Sequence, residues 1–217
     1  MSEDAVEEET TRLRALGVRV RQGTRDLLPT TSVTVHGGEV AVAVGPPGGG
    51  HTSLALALAG RLPLDAGRVE VAGDASPRVL QAAVALVDVP GVSEPDEVVP
   101  FRTILGEELA MAKHKPSAEV IDRWLGDFDL APGITTEDVP SAPRLEILGR
   151  MALLRPGTRY LVLTYPERLG LPVAQWLDIA RDLAGSESRP GVLVTASRAV
   201  VIPAGVRTFT IGPTEEA

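Results

Sequence analysis

Cysteine is absent from the 217-residue chain, lysine occurs only at Lys113 and Lys115, and aromatic residues make up 3%. The first absence excludes disulfides, thiolate-bound metals and cysteine nucleophiles. Basic residues are outnumbered too, 21 Lys and Arg against 29 Asp and Glu, for a formal charge of −8. That deficit argues against a nucleic-acid partner, because a phosphate backbone needs a basic face. No apolar run is long enough to cross a bilayer, and the opening MSEDAVEEETTRLR lacks an apolar signal core. These absences together set the expectation of a cytoplasmic protein. What is present suits a folded chain: 44% of the residues are hydrophobic, enough for one core or one core with a small insert.

Along the chain, residues 1–10 (MSEDAVEEET) read as a disordered acidic tail. The alternations Val18/Val20 and Val33/Val35 predict two half-buried strands, and the turn HGG leads into a third, Val40 to Val44, apolar on both faces. A helix from Thr52 to Ala59 follows, with Gly60 as its C-cap. Arg68 to Val71 and AAVALVDV read as strands, and PGVSEPDEVVP as a loop. From Phe101 to Leu130 the pattern is helical, broken at KHKP; 131–143 reads as loop and Arg144 to Leu154 as helix. RYLVLTYP and GVLVTAS are buried strands around the amphipathic VAQWLDIARDLAG, and VRTFTIG closes as an edge strand. The order predicts an α/β core with a mostly parallel sheet, an N-terminal antiparallel β region and a helical insert at about 95–143, all within one domain over 11–213.

The chemistry centres on AVAVGPPGGGHTSLALALAG, residues 41–60. A buried strand, a glycine-rich loop and a helix are the parts of a P-loop, GxxxxGK(S/T), whose backbone N–H groups wrap a phosphate at a helix N-terminus. Gly45, Gly48, Gly49 and Gly50 permit the close approach, with Thr52 and Ser53 opening the helix and Thr52 matching the hydroxyl that holds Mg²⁺. The lysine position, however, holds His51. Histidine is shorter than lysine and mostly neutral at pH 7. A phosphate-bound His51 would make nucleotide affinity rise from pH 8 to 6; the plainer reading is a polar residue opening a helix. His36 and His114 flank turns with no paired ligand, and Trp124 and Trp176 fall in helical patterns as packing residues.

Over nearly its whole length the chain resembles the ATP-binding cassette (ABC) ATPase family. The resemblance rests on GGEVAVAVGPPGGGHTSLALALAGRLPLDAGRVEVAGD, VALVDV, RMALLRPGTRYLVLTYPERLGL and GVLVTAS, in that order and spacing. It implies a P-loop NTPase core, ATP or ADP with Mg²⁺ as cofactor, and two partners: a membrane permease subunit and a second cassette subunit. It also implies a place on the inner face of the cell membrane. The family's catalytic positions, however, are altered throughout. Gln22-Gly23 stands where an aromatic ring would stack on adenine, and Val89, preceded by Asp88, replaces the glutamine. DVPSAPR, with Ser141 between two prolines, replaces the signature LSGGQ. Thr164-Tyr165-Pro166 replaces Asp-Glu-Pro, and Ser197 the switch histidine. Glu167, beyond the proline, is expected to point elsewhere, and Asp88 either to reach the metal or to be merely solvated.

Phosphoryl transfer depends on positioning and charge stabilisation, and here every charged group is lost together. The resemblance therefore implies a degenerate, pseudo-ATPase subunit that binds nucleotide weakly or acts as a structural or regulatory partner. An active ATPase using Asp88 or Glu167, and an unrelated P-loop small-molecule kinase, are the alternatives.

Overall fold

The computed structural model describes residues 12–212, so the expected acidic tail at 1–10 lies outside the described residues. The chain enters through a long hairpin, β1 (Arg12–Gln22) and β2 (Arg25–His36), paired antiparallel. Buried positions on β1 switch from Leu13 and Ala15 to Val18 and Val20. A bulge causes the switch: the register slips between Ala15 and Val18, where Gly17 takes a φ of +54°. β4 (Ala66–Val71) joins the other edge of β1, completing a three-stranded antiparallel sheet.

A second sheet holds β3 (Val40–Gly45), β5 (Val84–Val87), β6 (Tyr160–Thr164), β7 (Gly191–Ser197) and β8 (Arg207–Thr210), in the order β5-β6-β7-β3-β8. All of its pairings are parallel, more uniform than the mostly parallel sheet expected. Its strands are apolar throughout because both faces are covered. On one face Leu161, Leu163, Val192 and Val194 pack with α3 (Phe101–Met111), α4 (Ala118–Gly126), α5 (Ser141–Leu153) and α6 (Val173–Ala184). On the other, Ala41, Ala43, Val162 and Leu193 pack with α1 (His51–Leu58) and the antiparallel sheet. Trp176 is fully buried, as a packing residue should be, and Trp124 is half-buried.

Several boundaries differ from expectation for local reasons. α1 starts one residue early, at His51, and Gly60 follows its cap with φ +63°. The N–H groups of Gly60 and Arg61 return to the carbonyls of Ala57 and Leu56, a Schellman ending. An unforeseen helix, α2 (Pro77–Ala83), takes the first residues of the AAVALVDV strand; Pro77 sits in its first turn, where no amide is needed. α5 likewise starts at Ser141, within the expected loop, because Pro143 falls in the first turn and breaks no helical bond.

Candidate functional site

The parallel strands bring their carboxyl ends to one edge, where open α/β sheets hold their ligands. There β3 runs into the loop 46–50, β6 ends at Thr164 and β7 at Ser197. The loop has the expected glycine-dependent backbone. Gly48 and Gly50 have φ of +72° and +105°, and a β-carbon on Gly50 would lie 2.6 Å from the Leu27 carbonyl oxygen. Gly49 donates its N–H to Pro46 O at 2.9 Å. No side chain caps α1, and no acid stands in its first turn. The first-turn amides of His51, Thr52 and Ser53 therefore have no intrahelical partner, and they face an electrostatic environment suited to an anion. A cleft of about 210 Å³ opens here, lined by Gly48, Gly50, Thr52, Ser53 and Tyr165 among others.

His51 lines that cleft too, but both of its ring nitrogens are turned to protein partners. Its side chain is buried, with Nε2 3.0 Å from Ala196 O and Nδ1 2.7 Å from the Tyr165 hydroxyl. A carbonyl only accepts, so Nε2 carries the proton and Nδ1 accepts from Tyr165; both nitrogens are engaged with a neutral ring. The two rings lie 4.3 Å apart, tilted by 38°. Burial pushes the imidazole below its ordinary pKa, outweighing the opposing pull of the Ala196 carbonyl. Of the two readings of His51, a pH-switched phosphate contact or a polar residue opening the helix, burial favours a neutral ring and so weighs against the first. Gly45 has a use the motif does not suggest. A β-carbon there would meet Ile211 Cβ at 2.9 Å and His51 Cε1 at 3.1 Å, so the glycine makes room for the imidazole.

Tyr165 reaches His51 because the chain turns at the end of β6. Continued alternation would send residue 165 to the face of Leu161 and Leu163. Instead Tyr165 adopts φ 55° and ψ 54°, and a 3₁₀ turn, Pro166–Leu169, follows at once. Burial, then the charge of Glu167, raises the phenol's pKa, so it remains a donor.

Of the two acids an alternative metal site would use, Asp88 is fully committed elsewhere, and Glu167 is bonded through one oxygen, its Oε2 having no partner among the described residues. Asp88 is neither solvated nor free: it is 2% exposed, and its two oxygens accept from Arg144 Nη2 and Nε at 2.9 Å each. Arg168 Nη2 adds bonds to Asp88 Oδ1 at 2.8 Å, to its backbone carbonyl and to Glu94. Glu167, expected to point elsewhere, accepts the Ser197 N–H through Oε1 at the end of β7. Neither Asp88 nor Glu167 lines the cleft. Ser141 donates to Leu169 O at 2.7 Å, so its hydroxyl is already used. Among the described residues, no group of three or more His, Cys, Asp or Glu side chains is arranged to hold a metal. Thr52 is then the one expected metal-binding hydroxyl at the cleft.

Sequence reading missed the Tyr165–His51 pair, which spans 114 residues, and the arginines facing Asp88. It also missed Arg25, an exposed residue that lines the cleft from the first position of β2.

A glycine loop between a central strand and a helix, an all-parallel sheet and an antiparallel β layer together define a P-loop NTPase fold of the ATP-binding-cassette type. No protein-family model matches the sequence, and no curated protein does. Among solved structures the chain is similar to a nucleotide-free ATP-binding cassette from an ABC transporter, with a TM-score of 0.67 and 16% identity over 93% of this chain and 88% of that one. An ATP-binding subunit of an ABC transporter gives a TM-score of 0.60 and 16% identity, covering 87% and 80%. A bacterial Atm1-family ABC exporter with ATP bound gives 0.59 and 19%, covering 86% of this chain and 34% of that longer one. The likeness is one of fold. No helix among the described residues is long and apolar enough to cross a membrane.

Proposed function

We propose that this chain is a catalytically silent cassette subunit. It takes the phosphates of ATP or ADP weakly at the loop 45–53, and it serves as a structural or regulatory partner to a membrane permease subunit and a second cassette chain. One observation carries the reading: the residue in the lysine position, His51, and the residue in the catalytic-acid position, Tyr165, are hydrogen-bonded to each other at 2.7 Å. A cation for the phosphates and a base for the attacking water are replaced by a neutral, mutually satisfied pair. The uncapped first turn of α1 and the glycine backbone support retained phosphate affinity. Thr52 would be the protein's ligand to Mg²⁺, which would supply charge neutralisation for the phosphates.

The test is calorimetric titration with Mg-ATP and Mg-ADP, beside a Gly50→Asp variant that obstructs the loop. Binding in the high-micromolar to millimolar range, lost in the variant, is the expected result. No heat at millimolar ligand would leave the scaffold without a nucleotide role.

A further inference from the structure

The loop lacks its lysine, yet the cleft does not lack a cation. Arg25 opens β2, and its partner across the hairpin is Gln22. The strand then passes directly over the loop. The space a side chain at Gly50 would need is filled by Leu27 O, at 2.6 Å, and by Leu28 Cα, at 3.0 Å. That close approach holds Arg25 beside the first turn of α1, on the wall of the same 210 Å³ cleft as Gly48, Thr52 and Ser53.

Charge at the cleft is divided unevenly. Asp26 also lines it, but its carboxylate is held by Arg19, Nε to Oδ1 at 2.9 Å and Nη2 to Oδ2 at 3.3 Å, with Arg21 at 3.8 Å. Arg25 has no carboxylate partner among the described residues. Two buried hydroxyls lie at the neighbouring strand ends, outside the residues that line the cleft. Thr164 and Thr195 are 2% and 0% exposed, pair across β6 and β7, and their hydroxyls have no hydrogen-bond partner among the described residues. By alternation from Val162 and Leu193 they face the α1 side of the sheet, at the strand ends beneath the loop.

We propose that Arg25 is the phosphate-gripping cation of this cleft, binding the diphosphate of a nucleotide from the antiparallel sheet in place of the missing loop lysine. The inference rests on the reading that loop 45–53 takes nucleotide phosphate. A guanidinium suits the task, since its fixed fork pairs two N–H groups with two phosphate oxygens and stays charged at every accessible pH. Recognition then comes from an exposed strand end outside the loop.

Calorimetry with ADP and with inorganic pyrophosphate separates the possibilities, using the full chain and the variants Arg25→Ala, Arg25→Lys and Arg21→Ala. Arg25 is exposed, and thermal melting checks that each variant is folded. Arg25→Ala should weaken both ligands at least tenfold, Arg25→Lys should recover part of the loss, and Arg21→Ala should bind within about twofold of the parent. Unchanged binding by Arg25→Ala would overturn the proposal while leaving nucleotide binding intact. An equal loss in Arg21→Ala would overturn it too, as a general field effect. If the parent chain bound neither ligand at millimolar concentration, the nucleotide reading itself would fall, and the role of Arg25 with it.

Discussion

Tyr165 holds a left-handed backbone conformation, with φ 55°. That conformation costs a residue with a β-carbon about 1–2 kcal/mol. Its hydroxyl bond to His51 and the ring contact at 4.3 Å offset the strain. Removing only the hydroxyl, in Tyr165→Phe, leaves a buried imidazole nitrogen without a donor and should lower unfolding stability by about 1–3 kcal/mol in a urea titration. No loss would mean the bond does not hold the pair. His51 gives a prediction with a definite sign. Its folded pKa is depressed by burial, so the unfolded chain takes up the proton more readily. The stability from a neutral His51 is complete above the unfolded value of about 6.5 and is lost as pH falls below it. Melting temperature should therefore drop more between pH 7.5 and 5.5 in the parent than in His51→Gln; parallel curves would contradict burial of a neutral ring. The sequence displayed His51 as an anomaly but concealed its partner, because a contact spanning 114 residues leaves no local pattern.

β5, α5 and the 3₁₀ turn after β6 meet at a buried charge cluster. Asp88, at φ 49° just past β5, is held by Arg144 of α5 and Arg168 of the turn, and Arg168 also bonds Glu94. Asp88→Ala would leave both guanidiniums without their shared carboxylate. The expected loss is about 3–5 kcal/mol in a denaturant titration, since breaking a buried pair costs far more than the pair contributes. A change under 1 kcal/mol would show that water reaches the cluster. The glycine loop gives a smaller, steric expectation. Gly50→Ala combines φ +105° with a β-carbon 2.6 Å from Leu27 O and should cost about 1–3 kcal/mol, read in the same titration. Of these features, the glycines were legible in the sequence and the ion cluster was not. Asp88 follows an apolar strand, a place where acids are usually solvated, and nothing nearby signals that Arg144 and Arg168 converge on it from 56 and 80 residues away. α2 was hidden for a different reason: PRVLQAA is one short helix running straight into the strand VALV, so the apolar run conceals the boundary.

In the molecule as a whole, two apolar clusters sandwich the parallel sheet, and that arrangement was legible because buried strands and amphipathic helices alternate in the sequence. Of the site, the glycine loop and Thr52 were legible, and the rest only as departures from the cassette pattern. What fills the vacated roles depends on turns and tertiary neighbours: the left-handed Tyr165, the space at Gly45 and the passage of β2 over Gly50. On the proposed reading the fold keeps a phosphate loop on an intact scaffold while the lysine and catalytic-acid positions hold the neutral His51–Tyr165 pair. Phosphate release from saturating Mg-ATP, measured for the purified chain beside Thr52→Ala, tests that silence most directly. Equal rates at the assay background are predicted. Turnover by the parent above that of Thr52→Ala would contradict a silent site and show that a carboxylate reaches the attacking water.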